Sequence, residues 1–337
     1  MAWLSATILG CDGPRLTADE ARFFSQAQPW GFILFARNIE DPGQLAALTA
    51  DLRAAVGRAA PILIDQEGGR VQRMRPPHWR QWRPALDQMA QAGASRAARA
   101  MYLRSRLIAQ EMHAVGLDVN CMPLADVARD ATHPVLHNRL YGTDPETVID
   151  AGIAVAQGLL AGGVLPVLKH LPGYGLGAVD SHLTLPRVAA PAEELHRVDF
   201  AAFKPLAHLP LGMTAHIVYD AIDPDLPATF SPDLIAMIRN QIGFGGALMT
   251  DDLSMGALPG PIGQRAARAR AAGCDLILHC NGVRTEMEAV VADAGRLDGL
   301  ALARADAALA ARRAPEPLDI AAAEAELADL LDGEVYG

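Results

Sequence analysis

The stretch AGIAVAQGLLAGGVLPVLKH, residues 151–170, decides the fold class of the chain. Residues 151–168 carry no charge, yet a Gly-Gly pair at 162–163 divides them into two shorter apolar segments. This pattern is typical of a helix that leads into a short buried strand, and it is too interrupted for a membrane span. The strand then ends in the polar pair Lys169-His170. Strands that are apolar throughout indicate a parallel sheet that is covered on both faces.

Seven other apolar runs follow the same plan, and helix-like segments separate them. The eight runs together span residues 4–10, 31–37, 60–66, 116–122, 163–169, 211–217, 246–252 and 274–280. Eight strands that alternate with helices over about 300 residues predict an α/β fold, a (β/α)₈ TIM barrel. A doubly wound sheet is the alternative, but it calls for a GxGxxG turn after the first strand, which GCDGPRL at 10–16 does not match.

Helix start signals support the same alternation. Thr17 and Glu20 form a capping-box pattern, and Asp41-Pro42 opens a helix that runs through Leu52. Further helices are expected over residues 94–114, 145–160, 191–207, 232–241, 262–272 and 283–294, and in the tail over 301–311 and 320–331. We therefore expect a single domain over residues 1–337, with a C-terminal helical extension at about 299–332.

The composition excludes several classes of protein. With 337 residues, 51% of them hydrophobic and 20% charged, the chain is neither disordered nor a coiled coil. The net charge is −10 and no basic stripe is present, so nucleic acid is not an expected partner. Cys11, Cys121, Cys274 and Cys280 form no CxxC pair, which predicts buried free thiols in a reducing compartment. The N-terminus lacks the features of a signal peptide, so we expect a cytoplasmic protein without membrane association. We expect it to be a monomer or a weak homo-oligomer.

Polar side chains follow almost every predicted strand. They are Arg37, Asn38, Asp65, Gln66, Glu67, Asp126, Lys169, His170, His216, Asp251, Asp252, Cys280 and Asn281. In a barrel these positions share the carboxyl-terminal mouth, where such folds carry out their chemistry. After Lys169 and His170 comes a loop rich in glycine, in which Asp180 precedes His182 by two residues. A carboxylate at that spacing can orient the imidazole and favour its charged form.

Three shorter motifs add candidate binding groups. IDQEGGRVQR (64–73) has two carboxylates after a strand, and a short acidic side chain there can accept two neighbouring sugar hydroxyls. In VLHNRLYGTDP (135–145) Arg139 can hold a hydroxyl, a carboxylate or an amide oxygen. ALMTDDLSMGAL (247–258) ends a strand in Asp251 and Asp252, of which only one should enter the barrel mouth directly.

Taken in order, the motifs IDQEGGRVQR, NRLYGTDP, KHLPGYG, DSH and MTDDLSM resemble the family 3 glycoside hydrolases. More narrowly, the chain is similar to the single-domain bacterial β-N-acetylglucosaminidases of cell-wall recycling. The resemblance extends from the strand near Ile8 to about Asn281. It implies a retaining, two-step hydrolysis without a metal or other cofactor. The implied substrate is N-acetylglucosaminyl-anhydro-N-acetylmuramic acid, with or without its stem peptide.

The same resemblance implies a role for each matching residue. Asp251 corresponds to the catalytic nucleophile, His182 to a histidine general acid/base, and Asp180 to the partner of that histidine. Asp65, Arg139, Lys169 and His170 correspond to the residues that hold the terminal N-acetylglucosamine. Two residues depart from the family pattern: Tyr174 stands where many members have a second histidine, and Leu171 where many have phenylalanine. Both are expected to lie in the mobile loop rich in glycine, so loop motion or contacts to the leaving group can differ.

Three other functions are compatible with parts of this pattern. A metal-dependent barrel hydrolase could use His170, His216, Asp251 and Asp252 as ligands, although no HxH or HExxH spacing is present. A sugar-binding protein without activity would need neither a nucleophile nor an acid. A family 3 β-glucosidase usually carries a second domain that this chain is too short to hold, and it lacks the DSH loop.

Overall fold

The computed structural model describes residues 3–180 and 183–336. A parallel sheet of eight strands forms the centre of the molecule. Its strands are β1 (Ser5–Gly10), β2 (Pro29–Leu34), β3 (Ile62–Ile64), β6 (Val119–Asn120), β7 (Leu165–Leu171), β9 (Leu211–Thr214), β11 (Ala247–Met249) and β12 (Ile277–His279); the short strands β4 (Gln66–Gly68), β5 (Val71–Gln72), β8 (Arg187–Val188) and β10 (Val218–Tyr219) lie outside it. The order is β11-β9-β7-β6-β3-β2-β1-β12, and a parallel bridge between Met249 and Leu276 joins the two ends. The predicted (β/α)₈ barrel is confirmed.

The barrel strands are buried on both faces, and successive side chains belong to two separate apolar layers. Ile8, Ile33, Val167 and Met213 belong to the inner layer, which fills the barrel. Leu9, in contrast, belongs to the outer layer between the strands and the helices. Because both layers are apolar, the strands have the continuous hydrophobic runs that identified them in the sequence.

Twelve α-helices surround or extend the barrel in the part of the chain that the structure describes. They are α1 (Ala18–Ala27), α2 (Pro42–Val56), α3 (Ala85–Ala92), α4 (Ala94–Ala114), α5 (Pro134–His137), α6 (Pro145–Ala161), α7 (Ala192–Arg197), α8 (Pro232–Met237), α9 (Ile262–Ala272), α10 (Arg284–Ala294), α11 (Gly299–Ala310) and α12 (Ile320–Leu330). The Thr17–Glu20 capping box is present, and Asp41 caps α2 through the Gln44 amide. Short 3₁₀ turns occupy Ala36–Asn38 and Ala201–Leu206.

Two predicted helices are shorter than the sequence suggested. The helix expected over 191–207 divides into α7 and the 3₁₀ turn Ala201–Leu206, which contains Pro205. Pro205 has no N–H to donate and its ring crowds the preceding turn, which disfavours a continuous α-helix there. The helix expected over 232–241 changes at Met237 into a π-type turn, Ile238–Ile242, before Gly243 ends it in a left-handed conformation.

The long connection from Ile64 to Asp118 contains the helix predicted over 94–114, which is α4. It also contains two elements that the sequence did not predict, the antiparallel hairpin β4–β5 and the helix α3. All four cysteines are buried and free, as predicted. Among the described residues, no helix is both long and apolar enough to cross a bilayer.

Candidate active site

A pocket of about 230 Å³ opens at the carboxyl-terminal ends of the barrel strands. Ligand pockets usually measure roughly 300–1,000 Å³, so this one suits a single sugar ring better than a long chain. Its walls contain Phe35, Asp65, Arg70, Arg73, Arg139, Lys169, His170, Tyr174, His216, Asp251, Asp252 and Cys280, together with several apolar side chains. The structure thus brings together five residues of the predicted site: Asp65, Arg139, Lys169, His170 and Asp251.

Lys169 links two carboxylates at the base of the pocket. Its side chain is 2% exposed, and Nζ lies 3.0 Å from Asp65 Oδ1 and 2.7 Å from Glu67 Oε1. Asp65 directly follows β3 and Glu67 lies two residues further on, in β4, so both side chains can face the same cation. A buried ammonium needs such partners, because removing an unpaired charge from water costs several kcal/mol or more.

Two arginines complete this ion-pair network. Arg139 donates from Nε and Nη2 to the two oxygens of Glu67, at 2.9 and 2.7 Å. Arg73 donates from Nη2 to Asp65 Oδ2 at 3.1 Å. The network therefore holds three cations and two carboxylates, a net charge of +1. Arg139 was predicted to hold a ligand; the structure shows that its planar fork also binds Glu67, in the bidentate geometry that arginine favours.

Burial and the cations act in opposite directions on the two carboxylates. Burial raises the pKa of Glu67, but Arg139 and Lys169 outweigh it and bring that pKa down to about 2. Burial likewise opposes the effect of Lys169 and Arg73 on Asp65, whose pKa nevertheless falls well below its ordinary value. The pKa of Lys169 is raised in turn, because its two carboxylates outweigh its burial. All three groups are therefore charged at neutral pH.

A tight hairpin turn positions Glu67. Gly68 and Gly69 follow it, both with positive φ (110° and 57°), a conformation in which glycine is favoured. A Cβ on Gly68 would lie 1.9 Å from Nη2 of Arg104, a fully buried arginine. Arg104 in turn donates to the backbone carbonyls of Glu67 and Arg83, at 2.5 and 2.7 Å. The two glycines thus let the chain turn closely over Arg104, which fixes the Glu67 backbone.

Asp126 orients His170 from behind the pocket. Its carboxylate is buried and accepts from His170 Nδ1 at 2.8 Å, which assigns the N–H of that imidazole to Nδ1. The same carboxylate accepts from the Tyr174 amide at 2.6 Å. Asp126 therefore fixes both a pocket residue and the first residues of the loop that follows.

The two adjacent aspartates have different surroundings. Asp252 accepts from the Ser254 amide at 3.0 Å, the Ser254 hydroxyl at 2.5 Å and the Cys280 amide at 3.1 Å. Its two oxygens thus hold the following turn and the neighbouring strand end in place. Asp251 also lies in the pocket wall, where its Oδ1 accepts from the Asp252 amide at 2.8 Å. Asp252 caps the following turn, as expected of one aspartate of the pair. Both aspartates line the pocket, however, so the expectation that only one of them enters the barrel mouth is wrong.

His216 supports the backbone beside Asp251. It is buried, and its Nε2 lies 3.0 Å from the Asp252 carbonyl while Nδ1 lies 2.7 Å from the Thr229 hydroxyl. Burial lowers the pKa of His216 despite the nearby Asp251 carboxylate, so a neutral imidazole with its N–H on Nε2 satisfies both contacts. Burial raises the pKa of Asp251, but the imidazoles of His216 and His170, the Asp252 amide and Lys169 hold it below the ordinary value. Asp251 is therefore a carboxylate at neutral pH.

The loop between β7 and β8 carries the remaining predicted residues. Asp180 is partly buried, and its carbonyl accepts from the Leu183 and Thr184 amides at 3.0 Å each. His182, predicted as the acid/base, lies outside the described residues. The Asp180–His182 pairing therefore stays a prediction.

Sequence reasoning assigned no role to three polar residues of the site, Glu67, Arg73 and Asp126. His216 was considered only as a ligand of a possible metal, whereas the structure shows it supporting the backbone beside Asp251. The spacing of Glu67, two residues after Asp65, was an available signal, because alternate residues of a strand share a face. Arg73 reaches Asp65 because the β4–β5 hairpin folds back on itself. The Gly68-Gly69 pair is a turn signal in the sequence, but it does not indicate which side chains the turn brings together. Within residues 3–180 and 183–336, no three His, Cys, Asp or Glu side chains are arranged to hold a metal ion.

Residues 6–313 match the profile described as "Glycosyl hydrolase family 3 N terminal domain", so the chain belongs to glycosyl hydrolase family 3. A β-hexosaminidase of Alkalilimnicola ehrlichii is 39% identical over 286 residues, which cover 82% of this chain and 81% of that protein. One of Pseudomonas aeruginosa is 36% identical over 294 residues, or 86% of each protein.

Solved structures point to the same group. The crystal structure of NagZ from Neisseria gonorrhoeae in complex with N-trifluoroacetyl-D-glucosamine has a TM-score of 0.81 and 30% identity, with 98% of each chain covered. The chain is thus a glycoside hydrolase of the β-N-acetylhexosaminidase type.

Proposed function

We propose that the chain releases terminal, non-reducing β-linked N-acetylglucosamine from peptidoglycan fragments in the cytoplasm. The substrate is N-acetylglucosaminyl-anhydro-N-acetylmuramic acid, with or without a stem peptide. Asp251 is the nucleophile of a retaining mechanism, and His182 with Asp180 is the acid/base. Asp65, Arg139, Lys169 and His170 hold the terminal sugar. The similarity to β-hexosaminidases supports the sugar, while the peptidoglycan source follows the narrower sequence resemblance.

Sugar binding is supported by the ion-pair network at the base of the pocket. Lys169 and Arg73 hold the carboxylate of Asp65 in one orientation. A carboxylate has more acceptor sites than two ion pairs use, so Asp65 can still accept sugar hydroxyls. Groups fixed before binding lose little entropy when the ligand arrives, which favours affinity and precise placement of the reacting carbon.

The single observation that carries the mechanism is the contrast between Asp251 and Asp252. The Asp252 carboxylate is committed to three hydrogen bonds of the surrounding chain. Asp251 is an ionised carboxylate in the wall of a pocket with a net positive network nearby. A carboxylate nucleophile must be ionised and accessible from the pocket, and the lowered pKa of Asp251 and its place in the pocket wall support this role.

The reaction proceeds in two steps, formation of a glycosyl-enzyme and its hydrolysis. Asp251 attacks the anomeric carbon while the glycosidic C–O bond breaks, and His182 gives its proton to the leaving oxygen. Water then attacks the same carbon, His182 takes a proton from it, and the bond to Asp251 breaks. Retaining enzymes usually place two carboxylates about 5 Å apart for these roles. Here an imidazole takes the place of one of them, so a neutral base faces the second nucleophile.

The test combines a variant with covalent trapping. Asp251→Ala should lower kcat on nitrophenyl β-N-acetylglucosaminide by at least about 10⁴-fold, the scale on which nucleophilic groups act, with little change in KM. A 5-fluoro glycosyl reagent should label Asp251 in the wild type, as peptide mass spectrometry can report. The corresponding glucoside, assayed with chelator present, should be a much poorer substrate.

Asp252→Ala is the matched control for this experiment. It should lower the melting temperature, because three hydrogen bonds are lost, and it should keep measurable activity. A label on Asp252, or on no aspartate, would refute the assignment of Asp251. Equal efficiency on the glucoside and the N-acetylglucosaminide would refute the sugar specificity.

A further inference from the structure

Tyr174 fastens the loop that leads to Asp180 in three places. Its amide donates to Asp126 at 2.6 Å, and its carbonyl accepts from the Gly177 amide at 2.8 Å. Its phenol donates to the Val179 carbonyl at 3.0 Å. The residue after Val179 is Asp180, so the phenol fixes the chain one peptide unit before that carboxylate.

The Tyr174 ring fills the space between this loop and the pocket. The ring is 6% exposed, and it meets the His170 imidazole at a centroid distance of 5.9 Å. A Cβ on Gly177 would lie 3.1 Å from the ring carbons, so the loop passes closely over the ring. Tyr174 also contributes to the pocket wall. One side chain therefore contacts both a proposed sugar-binding residue and the backbone beside Asp180.

Neighbouring residues anchor the first part of the same loop from the opposite side. Thr132 Oγ1 donates to the Gly175 carbonyl at 2.5 Å, and the His133 amide donates to the Gly177 carbonyl at 2.9 Å. These contacts fix the loop up to Gly177. Val179 is 37% exposed, and the hydrogen bond from the Tyr174 phenol to its carbonyl extends this anchoring toward Asp180.

We propose that Tyr174 is a positioning residue for proton transfer to the leaving group. Its phenol fixes the backbone directly before Asp180, and through that carboxylate it determines the position of the acid relative to the leaving oxygen. This inference rests on the proposed function, because it assumes that Asp180 and His182 carry the acid/base role. An acid acts through correct placement relative to the leaving oxygen, so a looser segment slows the reactions that depend on protonation.

Tyr174→Phe tests the inference, because it removes the hydroxyl and keeps the ring. Activated leaving groups such as nitrophenolate need little protonation, whereas a sugar alkoxide needs a great deal. In Tyr174→Phe, kcat/KM on a β-linked N-acetylglucosaminyl disaccharide should fall about 2- to 10-fold more than on the nitrophenyl substrate, the factor that one hydrogen bond provides. A purely structural role would lower both rates equally, which would overturn the inference.

Tyr219→Phe is the matched control. The buried Tyr219 phenol donates to the carbonyl of Gly173, at the start of the same loop. Tyr219→Phe should lower the melting temperature and leave the ratio of kcat/KM between the two substrates unchanged. An equal change of this ratio in Tyr174→Phe and Tyr219→Phe would overturn the role of the hydrogen bond from Tyr174 to the Val179 carbonyl.

Asp180→Asn separates this inference from the proposed function. If Asp180→Asn changes the ratio strongly and Tyr174→Phe does not, the positioning role is wrong and the proposed function stands. If Asp180→Asn leaves the ratio unchanged, the acid/base assignment itself is wrong.

Discussion

Glu67 shows how one buried side chain can determine both stability and binding. It is 5% exposed and holds two cations, Lys169 and Arg139, which both line the pocket. Removing one member of a buried ion pair leaves its partner charged and unpaired, which usually costs about 3–5 kcal/mol. The proposed sugar-binding residues therefore depend on a carboxylate that sits behind them.

Glu67→Gln should lower the free energy of unfolding by about 3 kcal/mol at pH 7. The pKa of Glu67 is depressed, to about 2 from an ordinary 4.5. A carboxyl group whose pKa is lower in the folded state stabilises the fold at pH values above its ordinary pKa. This contribution is lost as the pH falls toward the pKa of the folded state. The difference between wild type and variant should therefore be full above about pH 4.5 and shrink toward pH 2.

Urea unfolding of both proteins at pH 7, 4 and 3 measures this difference. Glu40→Gln is a suitable control, because Glu40 forms its ion pair with Arg15 at the exposed surface. Such surface pairs contribute little to stability. If the difference in free energy of unfolding between the wild type and Glu67→Gln stayed constant from pH 7 to pH 3, the lowered pKa of Glu67 would not be a source of stability.

At the residue scale, the sequence predicted those members of the site that end a strand or belong to a recognisable motif. Four of them line the same pocket: Asp65, Lys169, His170 and Asp251. Their partners were harder to predict, because they depend on folding between distant elements. The contact of Arg139 with Glu67 joins residues 72 positions apart, and that of Asp126 with His170 joins residues 44 apart.

At the element scale, the strands and the helices of the barrel were the most predictable features. The predicted bounds of α4 (Ala94–Ala114) and α9 (Ile262–Ala272) coincide with the structure. Predictions were less accurate where tertiary contacts decide the backbone, as in the β4–β5 hairpin. There the buried Arg104 requires a close turn, and two glycines supply it. The sequence showed the glycines but not the arginine beneath them.

The loop element that contains His182 supports a prediction about leaving groups. His182→Ala should cost far more with the disaccharide than with the nitrophenyl substrate, because only the former needs protonation of its leaving oxygen. With the nitrophenyl substrate the second step should become limiting, so a glycosyl-enzyme should accumulate. Azide should then restore part of the rate, because an anionic nucleophile needs no general base.

Steady-state and burst kinetics with both substrates measure these effects. His208→Ala is a suitable control, since His208 is an exposed histidine whose Nδ1 lies 3.0 Å from the Pro205 carbonyl, outside the pocket wall. Equal losses with both substrates and no azide effect would show that His182 is a binding or structural residue.

At the scale of the whole molecule, the C-terminal extension belongs to the same core as the barrel. The family profile ends at residue 313, yet Leu327 and Leu331 are fully buried in the main apolar cluster. Ion pairs such as Arg99–Glu326 lie at the exposed edge of this contact with α4. Tyr336 packs its ring against Trp82, next to the hairpin that carries Glu67. The extension thus covers apolar surface that the barrel would otherwise expose.

This packing predicts that the chain unfolds as one unit, in agreement with the proposal of a single domain over residues 1–337. Leu327→Ala should destabilise the whole protein by about 3 kcal/mol, because it leaves a cavity in the shared core. Helicity and enzymatic activity, followed during urea unfolding, should shift together, since a two-state transition gives the same midpoint with every probe. Leu300→Ala is the matched control, because Leu300 is 73% exposed on α11 and should change the midpoint little. If Leu327→Ala instead produced an early loss of helicity while activity kept its wild-type midpoint, the extension would be a separate folding unit.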